Sequence, residues 1–310
     1  MQWNQFTPGE IQFVQHPAFQ KNFHVLRLDL LHSWSSGNKY YKLKYPLQYV
    51  LENNISTIVS KGGMFSNHLV ALAEACHVFH IQLIAIIRAY EPDVHNPSIK
   101  RLTELNCLVE FVAPDEYHHF DNIKSKERYP DAFFIAEGGL SQEGIAGSAE
   151  IADEIQGAGF NHIVIAGGSM CTACGLIKSL PKEINLHIVP AWKGCERSYI
   201  ESILSEYDIQ PSCQWDLWPD YHFGGFGKFN QELIDFMTSF TSSTGIVLDP
   251  VYTGKILFAI NDKMKSNYFN SQDSILAIHT GGLQGLAGYA YRFPEEWGGY
   301  VEIANAMVRR

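Results

Sequence analysis

From residue 55 onward, short β-branched or apolar runs alternate with longer stretches whose apolar positions recur at helical spacing. That alternation marks βαβ units built on a mostly parallel sheet. Strands are predicted at 55–60, 82–87 and 108–112, with helices at 67–79 and 97–106 between them. A second series follows, with helix 143–156, strand 162–166, helix 172–180, strand 186–189 and helix 196–206. Upstream, Phe23-His24-Val25-Leu26-Arg27-Leu28-Asp29-Leu30 alternates as a strand exposed on one side would, and it is a candidate for the second sheet. The expected fold class is α/β, with two open, twisted, mostly parallel sheets flanked by helices. No repeat, low-complexity segment or Pro-rich linker interrupts the chain, so lobe boundaries are expected in short loops near Tyr45 and Ser141. Residues 1–44 with 142–310 then form a large lobe, and 45–141 a small α/β lobe.

Composition narrows the function more than the fold. The 310 residues are 46% hydrophobic and 18% charged, as in a compact globular protein large enough for two coupled lobes. A net charge of -10 without a basic stripe argues against a nucleic-acid partner. No apolar stretch reaches the ~18 residues that span a bilayer. Met1-Gln2-Trp3-Asn4-Gln5 lacks the charged-then-apolar pattern of a leader, so a cytoplasmic protein with no membrane partner is expected. The six cysteines (Cys76, Cys107, Cys171, Cys174, Cys195 and Cys213) are dispersed, which fits reduced thiols rather than a disulfide framework.

Four polar segments stand out. Ser36-Gly37-Asn38-Lys39-Tyr40-Tyr41-Lys42-Leu43 carries Lys39, and a desolvated lysine is the side chain that condenses with carbonyl groups. Gly62-Gly63-Met64-Phe65-Ser66-Asn67-His68 turns a strand into a helix; Ser66 and Asn67 read either as plain caps or as an anion site for a substrate carboxylate. Gly167-Gly168-Ser169-Met170-Cys171-Thr172-Ala173-Cys174-Gly175 has the same setting. It is either a small-residue turn or a place where free backbone N–H groups, the helix dipole and two hydroxyls meet a phosphate. No dinucleotide or triphosphate fingerprint is present. Cys171 and Cys174 have C-x-x-C spacing, but no second pair completes a zinc site, so no metal is expected; a thiol of lowered pKa at a helix start leaves a redox role open. The fourth segment is split between Asp249-Pro250-Val251-Tyr252-Thr253-Gly254-Lys255, leading into a helix, and His279-Thr280-Gly281-Gly282-Leu283, following a strand.

In this order, these segments resemble the pyridoxal-phosphate enzymes of the 1-aminocyclopropane-1-carboxylate deaminase and D-cysteine desulfhydrase family, over most of the chain. The resemblance implies the tryptophan-synthase-β-like fold (fold type II), with pyridoxal 5'-phosphate in the cleft between two lobes, and commonly a homodimer. It implies that Lys39, rather than Lys42, Lys61 or Lys255, forms the Schiff base with the cofactor and then moves the substrate's Cα proton. Ser66 matches the family's active-site serine, and Ser66, Asn67 and His68 would take the substrate carboxylate through their backbone. Asn67 would also meet the cofactor's ring oxygen, and Tyr252 would face the substrate. The phosphate would dock on Gly168, Ser169, Met170, Cys171 and Thr172.

Two positions separate the branches. The deaminases place Glu after the Val-Tyr pair and Leu before the late Gly-Gly, the desulfhydrases Thr at both; here they are Thr253 and Thr280. A neutral hydroxyl at the ring nitrogen makes a weaker electron sink than a carboxylate, which suits elimination. The expected reaction is that of a D-cysteine desulfhydrase, giving pyruvate, sulfide and ammonia from a small amino acid. The alternatives are 1-aminocyclopropane-1-carboxylate deamination to 2-oxobutanoate and ammonia, and a cofactor-binding module without turnover. Phe65, where the deaminases commonly have Gln, Phe226 in Gly225-Phe226-Gly227, where the family has tyrosine, and the bulky Met170, Cys171 and Cys174 depart from the pattern. The tail, 294–310, runs past the match and is expected either to pack across a dimer or to cover the cleft.

Overall fold

The computed structural model describes residues 9–31 and 35–308. It opens with β1 (Glu10–Val14) and β2 (Phe23–Arg27) and then helix α1 (Asn38–Glu52). Next come β3 (Thr57–Gly63), α2 (Asn67–Phe79), β4 (Gln82–Arg88), α3 (Pro97–Glu104), β5 (Leu108–Val112), α4 (Pro114–His119), α5 (Asn122–Arg128) and β6 (Phe133–Ile135). Their strands form a parallel sheet in the order β5-β4-β3-β6. The chain continues through α6 (Gln142–Ala149), β7 (His162–Gly167), α7 (Cys171–Ser179), β8 (Asn185–Pro190), α8 (Arg197–Glu206) and β9 (Gln214–Leu217). Helices α9 (Gln231–Thr244) and α10 (Thr253–Lys265), strand β10 (Ile275–His279), and helices α11 (Gly285–Arg292) and α12 (Pro294–Val308) follow. The larger sheet has the order β1-β2-β10-β7-β8-β9, with β1 antiparallel to β2 and the other pairs parallel.

The uninterrupted apolar runs are explained by burial on both sheet faces. In β7, Ile163 and Ile165 enter one core with Leu186 and Ile188, while Val164 and Ala166 enter another with Val189 and Ala277. In the smaller sheet Ile58 packs with Leu83, Ala85 and Ile87, and Val59 packs on the opposite side with Ile84 and Ile86. Helix α1 touches both assemblies. Tyr40 and Tyr41 belong to the core around β7, whereas Leu43, Leu47 and Val50 belong to the core of the smaller sheet.

Three expectations change. Strand β2 is not exposed on one side: it is flanked by β1 and β10, and Val25, Leu26 and Arg27 are all buried. Its polar residue is absorbed internally, with Arg27 Nη2 2.7 Å from Asp29 Oδ2 and Nη1 donating to Gln12 Oε1 at 2.6 Å. The helix expected over 143–156 divides into α6 and a 3-10 segment, Glu150–Ile155. Among the described residues, the tail from Pro294 does not line the cleft. Helix α12 completes its own lobe, with Trp297 and Tyr300 in the core and the Tyr300 hydroxyl donating to Leu248 O at 2.7 Å. Arg309 and Arg310 lie outside the described residues.

Candidate active site

Lys39 stands at the start of α1, where the backbone leaves room for no side chain. Gly37 has φ 68° and donates its N–H to Leu28 O at 2.9 Å, and Asn38 N–H donates to Thr280 O at 3.1 Å. A Cβ on Gly37 would lie 2.2 Å from Thr280 O, so glycine is required both by the left-handed backbone and by the close approach. Lys39 Nζ donates to Asn38 Oδ1 at 3.0 Å. Burial, with the Lys42 charge adding to it, pushes the Lys39 ammonium down to about 7, against weaker opposing effects of Cys171 and Asp249. Lys42, one turn on, is also lowered by burial; its Nζ donates to Gly138 O at 3.1 Å and to Ser169 Oγ at 3.4 Å.

The second segment follows β3. Ser66 caps α2, its Oγ accepting from Leu69 N–H at 3.2 Å, and Asn67 Nδ2 donates to Gly282 O at 3.4 Å, joining this segment to the one after β10. His68 is buried, and its ring Nε2 lies 3.0 Å from Ser60 Oγ. Ser60 Oγ donates to Ile135 O at 2.8 Å, so it accepts from His68, and the proton is on Nε2. Nδ1 is then an acceptor, and it has no partner among the described residues. Burial and the neighbouring Lys39 and Lys42 hold this imidazole neutral, down to about 3.

The third segment follows β7. Met170 has φ 61° and α7 begins at Cys171 with no side-chain cap, so the first-turn N–H groups keep their capacity for an acceptor. Asn38 Nδ2 donates to Thr172 Oγ1 at 2.9 Å, Ser169 Oγ to Gly138 O at 3.2 Å and Trp192 Nε1 to Gly168 O at 3.3 Å. Cys171 and Cys174 point into the core instead, and burial raises both thiols. The lowered thiol pKa considered for the C-x-x-C pair is therefore corrected, because desolvation outweighs the helix terminus. All six cysteines are unpaired, and among the described residues no group of His, Cys, Asp and Glu is arranged to hold a metal.

The fourth segment is organised by Asp249. Its carboxylate accepts from the N–H groups of Val251, Tyr252 and Thr253 at 2.9, 2.8 and 2.9 Å, and from Thr253 Oγ1 at 2.6 Å. Thr253 is thereby committed to the turn and does not line the cleft, whereas Thr280 and Tyr252 do. Tyr252 packs against Gly168, where a Cβ would stand 3.2 Å from the ring, and burial keeps its phenol protonated. Lys255 is fully buried and ties the glycine-rich loop of Phe226 in place: Nζ donates to His222 O at 2.7 Å, Gly225 O at 2.9 Å and Ala191 O at 3.4 Å. Its pKa is pushed down to about 8 by burial. Lys255→Met strands three carbonyls and is expected to cost about 3 kcal/mol, read as a lower urea midpoint; an unchanged midpoint would refute the anchoring role.

These segments converge on one cleft of about 930 Å³. Of the residues expected from the sequence, Lys39, Ser66, Asn67, His68, Gly168, Ser169, Met170, Thr172, Tyr252 and Thr280 line it; Cys171 and Thr253 do not. Glu137, Trp192, Tyr289 and Arg292 also line it and carry no motif that sets them apart in the sequence. Asn38 and Lys42, which line it as well, stand in the same segment as Lys39.

A family profile described as "Pyridoxal-phosphate dependent enzyme" matches residues 7–281. A Thermotoga maritima protein, whose name gives 1-aminocyclopropane-1-carboxylate deaminase provisionally, is 28% identical over 307 residues, 92% of this chain and 97% of that protein. The D-cysteine desulfhydrase of Salmonella choleraesuis is 25% identical over 299 residues, covering 87% and 89%. Among solved structures, one described as an ACC deaminase homologue superposes with a TM-score of 0.77 at 23% identity, covering 92% of this chain and 93% of that one.

Proposed function

The chain belongs to the pyridoxal-phosphate dependent enzyme family, and from that premise we propose that it is a lyase eliminating the β-substituent of D-cysteine or a close relative. It is a lyase or deaminase of the type its relatives name, and the D-cysteine assignment is the finer reading. The products are pyruvate, sulfide and ammonia, one water entering. The observation that carries this reading is the Lys39 amine: desolvated, brought to about 7, and held at a helix start bonded to Thr280.

The cleft suits the cofactor. The uncapped start of α7, with Gly168, Ser169 and Thr172 lining the cleft and Lys42 alongside, would hold its phosphate. Lys39 would hold its carbonyl carbon, Asn67 its ring oxygen and Thr280 its ring nitrogen. When bound, the cofactor makes amines covalently attached to it acidic at Cα by drawing electrons into its ring. Lys39, being near neutrality, can take the Cα proton at pH 7, which an ordinary lysine cannot. Ser66 and Asn67 at the start of α2 would orient the substrate carboxylate, and the protonated Tyr252 phenol would face the reacting carbon. Thr280, where the deaminases have Leu, favours elimination; Thr253, spent on Asp249, contributes nothing to that choice.

The test is to load the protein with pyridoxal phosphate and supply D-cysteine and 1-aminocyclopropane-1-carboxylate separately. Sulfide and pyruvate from the first are expected. Release of 2-oxobutanoate from the second, without sulfide from the first, would move the protein to the deaminase branch, as the Thermotoga relative's name would have it.

A further inference from the structure

We infer that the cleft recognises an amino acid whose side chain ends in an anion, held by Tyr289 and Arg292 on α11. This rests on the lyase reading above and specifies which relative of D-cysteine the cleft takes. Helix α11 presents Gly285, Gly288, Tyr289 and Arg292 to the cleft, the i, i+3, i+4 and i+7 positions of one helical face. Tyr289 carries a buried donor without an acceptor, and Arg292 is exposed at the end of the same face. The Tyr289 hydroxyl is buried, at 8% residue exposure, and has no hydrogen-bond partner among the described residues, a state that a buried polar atom seldom keeps without a ligand or water. Arg292 has no carboxylate within 4 Å among the described residues.

Phe65 explains how the guanidinium is held. The Arg292 guanidinium carbon lies 5.1 Å from the centroid of the Phe65 ring and 5.0 Å from that of Phe293, which leaves the edge donors of the fork for an acceptor. The ring is seated on Gly288, where a Cβ would come within 2.5 Å of Phe65 Cδ1. The residue that departs from the family pattern is thus a platform for a cation, and it directly precedes Ser66. The two carboxylates lining the cleft do not compete: Asp93 accepts from Tyr291 Oη and His95 N–H, and Glu137 lies beside Tyr117 and Lys61. A tyrosine O–H and an arginine fork one turn apart fit the two oxygens of a carboxylate.

For a cysteine S-linked to a carboxylate, the Cα proton passes to Lys39, the Cβ–S bond breaks with its electron pair leaving on sulfur, and water yields pyruvate and ammonia. The probe pair is S-carboxymethyl-D-cysteine and its neutral isostere S-carbamoylmethyl-D-cysteine, given to the cofactor-loaded protein, with thiol release measured. The wild type is expected to favour the carboxymethyl compound in kcat/KM by about tenfold to a hundredfold, the range of a charge-assisted contact. Arg292→Gln is expected to bring that ratio to near one, and Tyr289→Phe to lower it severalfold. Equal use of both compounds by the wild type, or an unchanged ratio in Arg292→Gln, overturns this inference and leaves the lyase reading standing. A protein that takes up cofactor but releases thiol from neither compound, and no sulfide from D-cysteine, overturns both.

Discussion

Lys39→Ala is expected to abolish the visible absorption that the wild type acquires with pyridoxal phosphate, and to lower turnover by about 10² to 10⁴-fold, the range for removing a positioned acid–base group. The fold is expected to survive, because the substitution removes a desolvated ammonium rather than a packing contact. The pH dependence follows from the same burial. With its pKa near 7, Lys39 has a neutral fraction at pH 7 on the order of a thousandfold above that of a solvated lysine. Only the neutral amine attacks a carbonyl, so the rate of cofactor uptake is expected to rise through pH 7 and level off by about pH 8. A rise centred near 10 would remove the desolvated Lys39 from its role, and an intact absorption band in Lys39→Ala would bring Lys42 forward.

Gly37→Ala is expected to be the most damaging change that touches no reactive group. The new methyl would stand 2.2 Å from Thr280 O, and the residue would have to hold φ 68°. Neither neighbour is a side chain that can swing aside, so α1 and the turn after β10 must part, and Lys39 and Thr280 separate with them. A loss of at least about 2 kcal/mol is expected, combining left-handed strain with the backbone clash. Gly245→Ala supplies the comparison. Its φ of 72° is similar, but a methyl there meets nothing within 4 Å, so it should cost only about 1 kcal/mol and leave cofactor binding alone. Urea midpoints and cofactor titrations of the two variants read this directly. Equal losses from both would show that φ, rather than the approach of Thr280, is what the glycine serves.

The periodicity that marks β4, α2 and β5 reflects their local chemistry. Helix α2 runs over 67–79 as its pattern predicts, because Ser66 caps it and a left-handed His80 ends it. Strand β2 misled because alternation reports polarity, and polarity reports exposure only when no internal partner is near; Arg27 found Asp29 and Gln12. The C-x-x-C pair misled for a related reason. Its spacing is visible in the sequence, but the burial that raises both thiols comes from Ile145, Leu176 and the rest of a core assembled from distant segments.

By itself the sequence determined the α/β class, the parallel-sheet order of strand and helix, and the four segments that meet at the cleft, because each is encoded in local spacing, caps and glycines. Tertiary structure alone decided which of two threonines faces the cleft, since Thr253 lost its hydroxyl to Asp249 while Thr280 did not. It also decided that one lysine among several near the motifs is brought to about 7, and that Phe65 carries a guanidinium. Desolvation, and the pairing or orphaning of a donor, are properties of what the rest of the chain places around a residue, and no spacing in the sequence states them.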